Sequence, residues 1–140
     1  MMARKKLLLV DDDMDILEQL SLALGGEGYE VVTAQGRKEG EEILMLGRPD
    51  LAIIDLMMEE MDSGFVLCHE MKKLYPDMPV IILTAVTAAT GLDFHARSDE
   101  ARSWVKADAL LDKPVRFEQL KEEVQRLLQP RATEATAAGV

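Results

Sequence analysis

The chain has 140 residues, a formal net charge of −10 and a hydrophobic fraction of 48%, and this length suits one domain, since domains commonly run to ~100–150 residues. The acidic balance argues against contacts with nucleic acid or an anionic membrane, and no apolar run approaches the ~20 residues of a membrane span. Cys68 is the one cysteine, which excludes an internal disulfide and a zinc site built from several cysteines, and which fits a cytoplasmic protein.

The first half of the chain alternates short apolar runs with segments of helical spacing. The run Leu7–Val10 is continuous, as expected for a strand covered on both faces of a sheet. Glycine or proline follows the helical segments and marks their ends. In chain order, the predicted elements are a strand over 7–10, a helix through 17–24, a strand over 29–33, a helix around 43–46 and a strand over 51–54.

The second half repeats this alternation up to residue 130. The segment 85–106 is weakly patterned, and we expect an extended loop over 86–98 before a short fourth helix. Residues 131–140 are rich in Ala and Thr and are predicted to be a disordered tail, so the domain covers 1–130. The other predicted elements are a helix with an apolar stripe at Gly64, Leu67, Cys68, Met71 and Leu74, a strand over 80–83, a strand over 109–111 and a helix over 117–128.

Five strands that alternate with five helices predict an α/β fold with a parallel sheet and helices on both faces. Right-handed crossovers leave few topologies, and the flavodoxin-like order 2-1-3-4-5 is the commonest at this size. The switch point of that order lies between strands 1 and 3. Ligands are expected there, at the carboxyl ends of the strands.

Polar side chains suited to phosphoryl chemistry follow or end four of these strands. Asp11 and Asp12 follow the first strand, Asp55 the third, Thr84 ends the fourth, and Lys113 follows the fifth. Carboxylates that converge in one cleft repel each other unless a cation is present, and oxygen ligands without histidine suit Mg²⁺. Asp55 can then act as a nucleophile toward phosphorus, while Lys113 pairs with the new negative charge and the Thr84 hydroxyl bonds a phosphoryl oxygen.

Four short motifs at these strand ends together resemble the receiver domain of two-component response regulators. The resemblance covers about residues 5–129, and four motifs in order are far more specific than any one of them. It implies that Asp55 is the phosphoacceptor and that Asp11, Asp12, Asp55 and the backbone carbonyl of Met57 hold Mg²⁺, with Asp12 as a direct ligand. The motifs are VDDD at 10–13, IIDLMMEEMDSGF at 53–65, ILTA at 82–85 and DKP at 112–114.

The same resemblance implies the partners of the chain. A sensor histidine kinase or a histidine phosphotransfer protein would donate the phosphoryl group, and Thr84 and Lys113 would take the switch and phosphate-pairing roles. The face made by helix 4, strand 5 and helix 5 of the predicted fold would contact a downstream protein, without direct nucleic-acid or membrane contacts. The Lys113–Pro114 bond is expected to be cis. The resemblance thus implies a switch that phosphorylates and dephosphorylates itself rather than a turnover enzyme.

Three positions depart from the family pattern. Glu59 stands where members often have proline, and Ser63 is an insertion before Gly64, so the path of the loop after strand 3 stays open. Leu110 occupies the position of the family's switch aromatic on strand 5. Coupling through an aromatic rotamer is therefore not available at that position.

Several alternatives stay open. We expect a stand-alone receiver, but a receiver fragment of a larger regulator fits the sequence too. A Mg²⁺-dependent aspartyl-phosphate phosphatase or phosphotransferase usually needs a second Asp two positions after the nucleophile, where this chain has Met57. A pseudo-receiver that only scaffolds partners is disfavoured by the complete set of polar residues. Simpler structural roles are expected elsewhere: Asp13 as a helix N-cap, Cys68 as a buried packing residue, and His69 and His95 as surface residues.

Overall fold

The computed structural model describes residues 4–56, 63–84, 107–113 and 115–128, and it confirms the predicted alternation there. The strands are β1 (Lys6–Val10), β2 (Glu30–Ala34), β3 (Leu51–Asp55), β4 (Val80–Thr84) and β5 (Ala109–Asp112). The helices are α1 (Met14–Gly26), α2 (Arg37–Leu46), α3 (Ser63–Leu74) and α4 (Phe117–Leu128). The helix α4 is the one predicted from sequence as helix 5.

The strands form one parallel sheet in the order β2-β1-β3-β4-β5, which confirms the predicted flavodoxin-like topology. The register pairs Val10 with Ile54 and Thr84 with Asp112. With Asp55 paired to Leu83, the strands β1, β3, β4 and β5 end within about two residues of one another. The polar residues at their carboxyl ends are brought to one edge of the sheet, where ligands of such folds bind.

The sheet separates two apolar cores. Side chains alternate across each strand, so successive strand residues enter opposite cores. The central strands β3 and β4 are buried at every position, and this accounts for their continuous apolar runs. Helices α2 and α3 cover one face with Leu44, Leu67, Cys68 and Met71, and helices α1 and α4 cover the other with Leu17, Leu24, Leu120 and Val124.

The start of α1 confirms the predicted N-cap. The Asp13 carboxylate accepts hydrogen bonds from the backbone N–H groups of Asp15 at 2.9 Å and Ile16 at 3.4 Å. After the helix, Gly28 adopts a φ of 97°, a conformation that favours glycine, and the chain turns into β2. The strand β2 begins one residue later than predicted, because the backbone N–H of Tyr29 still donates to the carbonyl of Leu24 in α1, and Glu30 is the first residue whose N–H donates to the neighbouring segment, at the carbonyl of Lys5.

The predicted apolar stripe of α3 is wrong at its last residue. Leu74 ends α3 and is 51% exposed, and Leu46, the last residue of α2, is 88% exposed. Neither residue belongs to either of the two cores. Cys68 is buried and His69 is exposed, as predicted.

Among the described residues, no helix combines the length and the apolar composition that a membrane crossing requires. Several predictions lie outside the described residues: the Met57 carbonyl ligand, Glu59 and the loop after strand 3, the 86–98 loop with helix 4, His95, the Lys113–Pro114 bond and the tail over 131–140.

Candidate functional site

Three carboxylates meet at the carboxyl edge of the sheet. Asp11 and Asp12 follow β1, and Asp55 is the last residue of the neighbouring strand β3. One oxygen of each side chain lies within 4.8 Å of the other two. Asp11 and Asp55 are buried and Asp12 is exposed, so the cluster has a buried base and an open side. An oxygen-only donor set of this kind fits a hard cation such as Mg²⁺.

The turn from β1 into α1 holds Asp11 in place. Its backbone N–H donates to the carbonyl of Ala34 at 3.1 Å, and its Oδ1 accepts from the backbone N–H of Asp13 at 2.9 Å. Its other oxygen, Oδ2, is buried and has no hydrogen-bond partner among the described residues. Buried polar atoms are normally satisfied by a hydrogen bond, water or an ion. Oδ2, which has only the Lys113 ammonium near it at 3.5 Å and lies beside two further carboxylates, therefore supports a cation at this position.

Lys113 supplies the positive charge of the site. Its Nζ lies 2.7 Å from Oδ1 of Asp55 and 3.5 Å from Oδ2 of Asp11. Its backbone N–H donates to the carbonyl of Thr84 at 2.8 Å, which ties the segment after β5 to the end of β4. The ammonium group is thus anchored through its own backbone while it contacts two buried carboxylates.

The site holds too little positive charge to balance three ionised carboxylates. Burial raises the pKa of Asp55 to about 6, against the opposing ion pair with Lys113. Burial also raises the pKa of Asp11, and the backbone N–H of Asp13 and the charge of Lys113 lower it only in part. Burial would lower the pKa of Lys113, but its hydrogen bond with Asp55 and the nearby carboxylates raise it. A divalent cation would balance the remaining charge.

Thr84 lies at the same edge, as its position in the sequence predicted. It ends β4, the neighbour of β3, and it is 3% exposed. Within the described part of the chain, the structure therefore brings together all five predicted site residues: Asp11, Asp12, Asp55, Thr84 and Lys113.

Gly64 is a site residue that sequence reasoning placed only on the buried stripe of a helix. A Cβ at this position would lie 2.6 Å from both the carbonyl oxygen of Asp55 and the Cα of Leu56. The backbone N–H of Gly64 donates to the carbonyl of Leu56 at 2.8 Å. The first turn of α3 thus packs directly on the backbone that carries Asp55. One sequence signal could have identified Gly64: it is a glycine in the first turn of the helix that follows a functional strand end.

The family model described as the response regulator receiver domain matches residues 7–125. Among curated proteins, the chain is 54% identical over 79 residues to the transcriptional regulatory protein GlrR of Escherichia coli, covering 56% of this chain and 18% of GlrR. It is 32% identical over 138 residues to the response regulator MprA of Mycolicibacterium vanbaalenii, covering 96% of this chain and 54% of MprA. The chain therefore spans about half the length of MprA and a far smaller share of GlrR.

Solved structures of receivers have the same fold. A CheY-like receiver domain protein from Methanospirillum hungatei matches with a TM-score of 0.76 and 31% identity, over 90% of this chain and 94% of that one. The response regulator TrrA of Thermotoga maritima, solved in complex with Mg²⁺ and BeF, matches with a TM-score of 0.72 and 36% identity, over 89% and 99%. With a family model that matches most of its length and a sheet that places the acidic cluster at the carboxyl edge, this chain belongs to the response regulator receiver domain family.

Proposed function

We propose that this chain is a phosphorylation-controlled switch in which Asp55 accepts a phosphoryl group. The observation that carries the proposal is the contact of one half-buried ammonium, Lys113, with the buried carboxylates of Asp55 and Asp11 beside the exposed Asp12. Mg²⁺ would be held by the three carboxylates and by the backbone carbonyl of Met57. The Thermotoga receiver solved with Mg²⁺ and BeF supports the same kind of ligand here.

The proposed transfer uses a phosphohistidine as donor, from a sensor histidine kinase or a histidine phosphotransfer protein. A carboxylate oxygen of Asp55 attacks phosphorus and forms the new O–P bond as the P–N bond breaks. The electron pair of that bond stays on the ring nitrogen, and the imidazole takes up a proton from water. When bound, Mg²⁺ neutralises the phosphoryl oxygens and holds the transfer geometry. The product is an acyl phosphate on Asp55, which water can hydrolyse.

Lys113 and Thr84 then link the modified Asp55 to the surface. The ammonium of Lys113, released from the Asp55 carboxylate, pairs with the phosphoryl group, and the Thr84 hydroxyl donates to a phosphoryl oxygen. Since the Lys113 N–H already bonds the Thr84 carbonyl at 2.8 Å, a displacement of either residue moves the other. We infer that this movement changes the face made by the helix predicted before β5, by β5 and by α4, which would contact a downstream protein in the cytoplasm.

The proposal treats the chain as a switch rather than a turnover enzyme. GlrR and MprA are named as regulators and are longer than this chain, which supports a receiver unit that controls another module. That unit acts either alone through protein contacts or as the receiver part of a larger regulator. The phosphorylated Asp55 is the same in both cases.

Intact-mass spectrometry tests the proposal directly. The protein is incubated with Mg²⁺ and acetyl phosphate, and we expect a mass gain of one phosphoryl group that hydroxylamine removes. The Asp55→Asn variant should gain none. Asp77→Asn is the matched control, since Asp77 is exposed in the turn after α3, and it should be labelled like the wild type.

The other outcomes separate the competing functions. Labelling that persists in Asp55→Asn, or that needs no divalent cation, would contradict the proposed site. No labelling from acetyl phosphate or from a phosphorylated kinase would favour a scaffold. Sustained hydrolysis of unrelated phosphoesters would favour a phosphatase.

A further inference from the structure

A groove of about 410 Å³ lies between α2 and α3, away from the acidic cluster. It is lined on α2 by Lys38, Glu41, Glu42 and Met45, and on α3 by Glu70 and Leu74, among others. Met45 and Leu74 lie in the last turns of helices that lead back to the start of the next strand. Because Lys38 lies in the first turn of α2 and Met45 in the last, the groove runs along most of that helix.

The groove is flanked by apolar side chains that the fold leaves uncovered. Met45 and Leu74, which both line the groove, are 79% and 51% exposed. They are two of the five large apolar side chains that are mostly exposed in the described part of the chain. Exposed apolar side chains that gather in one place, with polar residues around them, mark interaction sites more often than scattered ones do.

The polar part of the groove is acidic. Glu41, Glu42 and Glu70 face a single lysine, Lys38, within the lining. Two further cations lie beside the lining: Arg37 approaches Glu41 at 3.8 Å on the same helix, and the charge of Lys73 on α3 acts on Glu70. A hydrogen bond with Glu41, together with burial, raises the pKa of Glu70 to about 7. The carboxyl groups of Glu41 and Glu70, which lie on different helices, thus share a proton, and a positively charged group of a partner could pair with both in its place.

The charge of the groove and its helical walls determine which kind of partner can bind there. An acidic groove repels nucleic acid and anionic lipid, and a second copy docked through the same face would place the acidic groups of both copies together. The backbone groups of α2 and α3 are already bonded within their helices, so the groove cannot pair with an extended peptide as a sheet edge does. A helix satisfies its own backbone and presents side chains only, which is the helix-in-groove mode of recognition.

We propose that the groove between α2 and α3 docks a basic amphipathic helix of a partner protein. Its apolar side would cover Met45 and Leu74, and its Lys or Arg residues would lie against Glu41, Glu42 and Glu70. This surface is separate from the phosphorylation site and does not depend on the chemistry proposed for Asp55.

A model peptide tests the proposal. The probe is a fluorescein-labelled Leu/Lys helix of about five turns, with leucines on one face and lysines on the other. A Leu/Glu peptide of the same pattern is the charge control. Fluorescence anisotropy measures the affinity, and amide chemical shifts of the ¹⁵N-labelled protein locate the contact. We expect the Leu/Lys helix to bind with shifts concentrated in α2 and α3, and the Leu/Glu helix not to bind.

Two pairs of substitutions separate the groove from general attraction to an acidic protein. Met45→Ala with Leu74→Ala removes exposed apolar surface, and Glu41→Gln with Glu70→Gln removes charge; each pair should weaken binding about tenfold. Leu22→Ala with Glu18→Gln makes the same kinds of change on the exposed face of α1 and should leave the affinity within about twofold. All these side chains lie at or near the surface, so folding is retained.

Equal weakening by the α1 pair, or shifts spread over the carboxyl edge of the sheet, would overturn the proposal, because binding would then follow net charge alone. An unlabelled chain that dimerises in analytical ultracentrifugation, and that Leu74→Ala returns to a monomer, would assign the groove to a second copy instead.

Discussion

The substitution Gly64→Ala tests how tightly the first turn of α3 packs on the residue proposed as phosphoacceptor. The added Cβ would lie 2.6 Å from the carbonyl oxygen of Asp55 and 2.8 Å from that of Leu56. Both neighbours are backbone atoms, which cannot rotate away as a side chain can. The helix or the strand end must therefore move by nearly an ångström to restore ordinary contact.

Two effects of opposite sign set the magnitude. Replacing a helical glycine by alanine stabilises by up to ~1 kcal/mol when the site is open. Overpacking a filled site costs ~1–3 kcal/mol and sometimes more. Because the close contacts are with backbone, we expect the second effect to win, with a net loss of ~1–2 kcal/mol in the free energy of unfolding. We also expect slower phosphorylation, since the shift displaces Asp55 from Lys113.

Urea denaturation followed by circular dichroism measures the stability, and intact mass after acetyl phosphate measures the labelling rate. Gly25→Ala is the matched control: Gly25 lies in the last turn of α1, and a Cβ there would meet nothing within 4 Å. It should be neutral or stabilising by a few tenths to ~1 kcal/mol, with unchanged labelling. If Gly64→Ala is as stable and as quickly labelled as Gly25→Ala, the close packing inferred for α3 is refuted.

Three further substitutions probe other contacts. In EDTA, the free energy of unfolding of the wild type should fall by up to ~3 kcal/mol as the pH rises from 4 to 7.5, because Asp55 loses its proton in that range. Asp55→Asn should not show this fall. The native pKa of about 6 lies above the unfolded 3.8, so the native state alone holds this proton in that window. A pH-independent gap between the two proteins would contradict this. The pKa of Glu70 is also raised, to about 7, so the wild type should lose stability as the pH rises above 4.5. Glu70→Gln should reduce this pH dependence in urea titrations. Tyr75→Phe removes the 2.8 Å hydrogen bond to the carbonyl of Leu44 and should cost ~1 kcal/mol; an unchanged urea midpoint would rule out that contribution.

The site residues were predictable because their placement follows from local rules. Apolar runs predicted the strands, and each run ends directly at a polar residue such as Asp55 or Thr84. In a parallel sheet all carboxyl ends share one edge, so the strand order alone brings these residues together. The N-cap role of Asp13 is also local, since it depends only on the next three residues.

Contacts between distant segments were beyond the sequence, because nothing local to either partner encodes them. The backbone packing of Gly64 and the juxtaposition of Glu41 with Glu70 each join different elements. The apolar spacing along a helix, likewise, does not show at which residue the contact of that helix with the core ends.

By itself, the sequence determined the alternation of strands and helices, the topology class and the set of polar residues at the strand ends, since these depend on hydrophobic period and strand order. Only the tertiary structure decided which charges are buried and which are exposed. It left one oxygen of Asp11 without a hydrogen bond among the described residues, and it exposed Met45 and Leu74 in a groove that Glu41, Glu42 and Glu70 also line. The physical reason is that burial, and with it the cost of a charge, is a property of the packed chain and not of any segment of it.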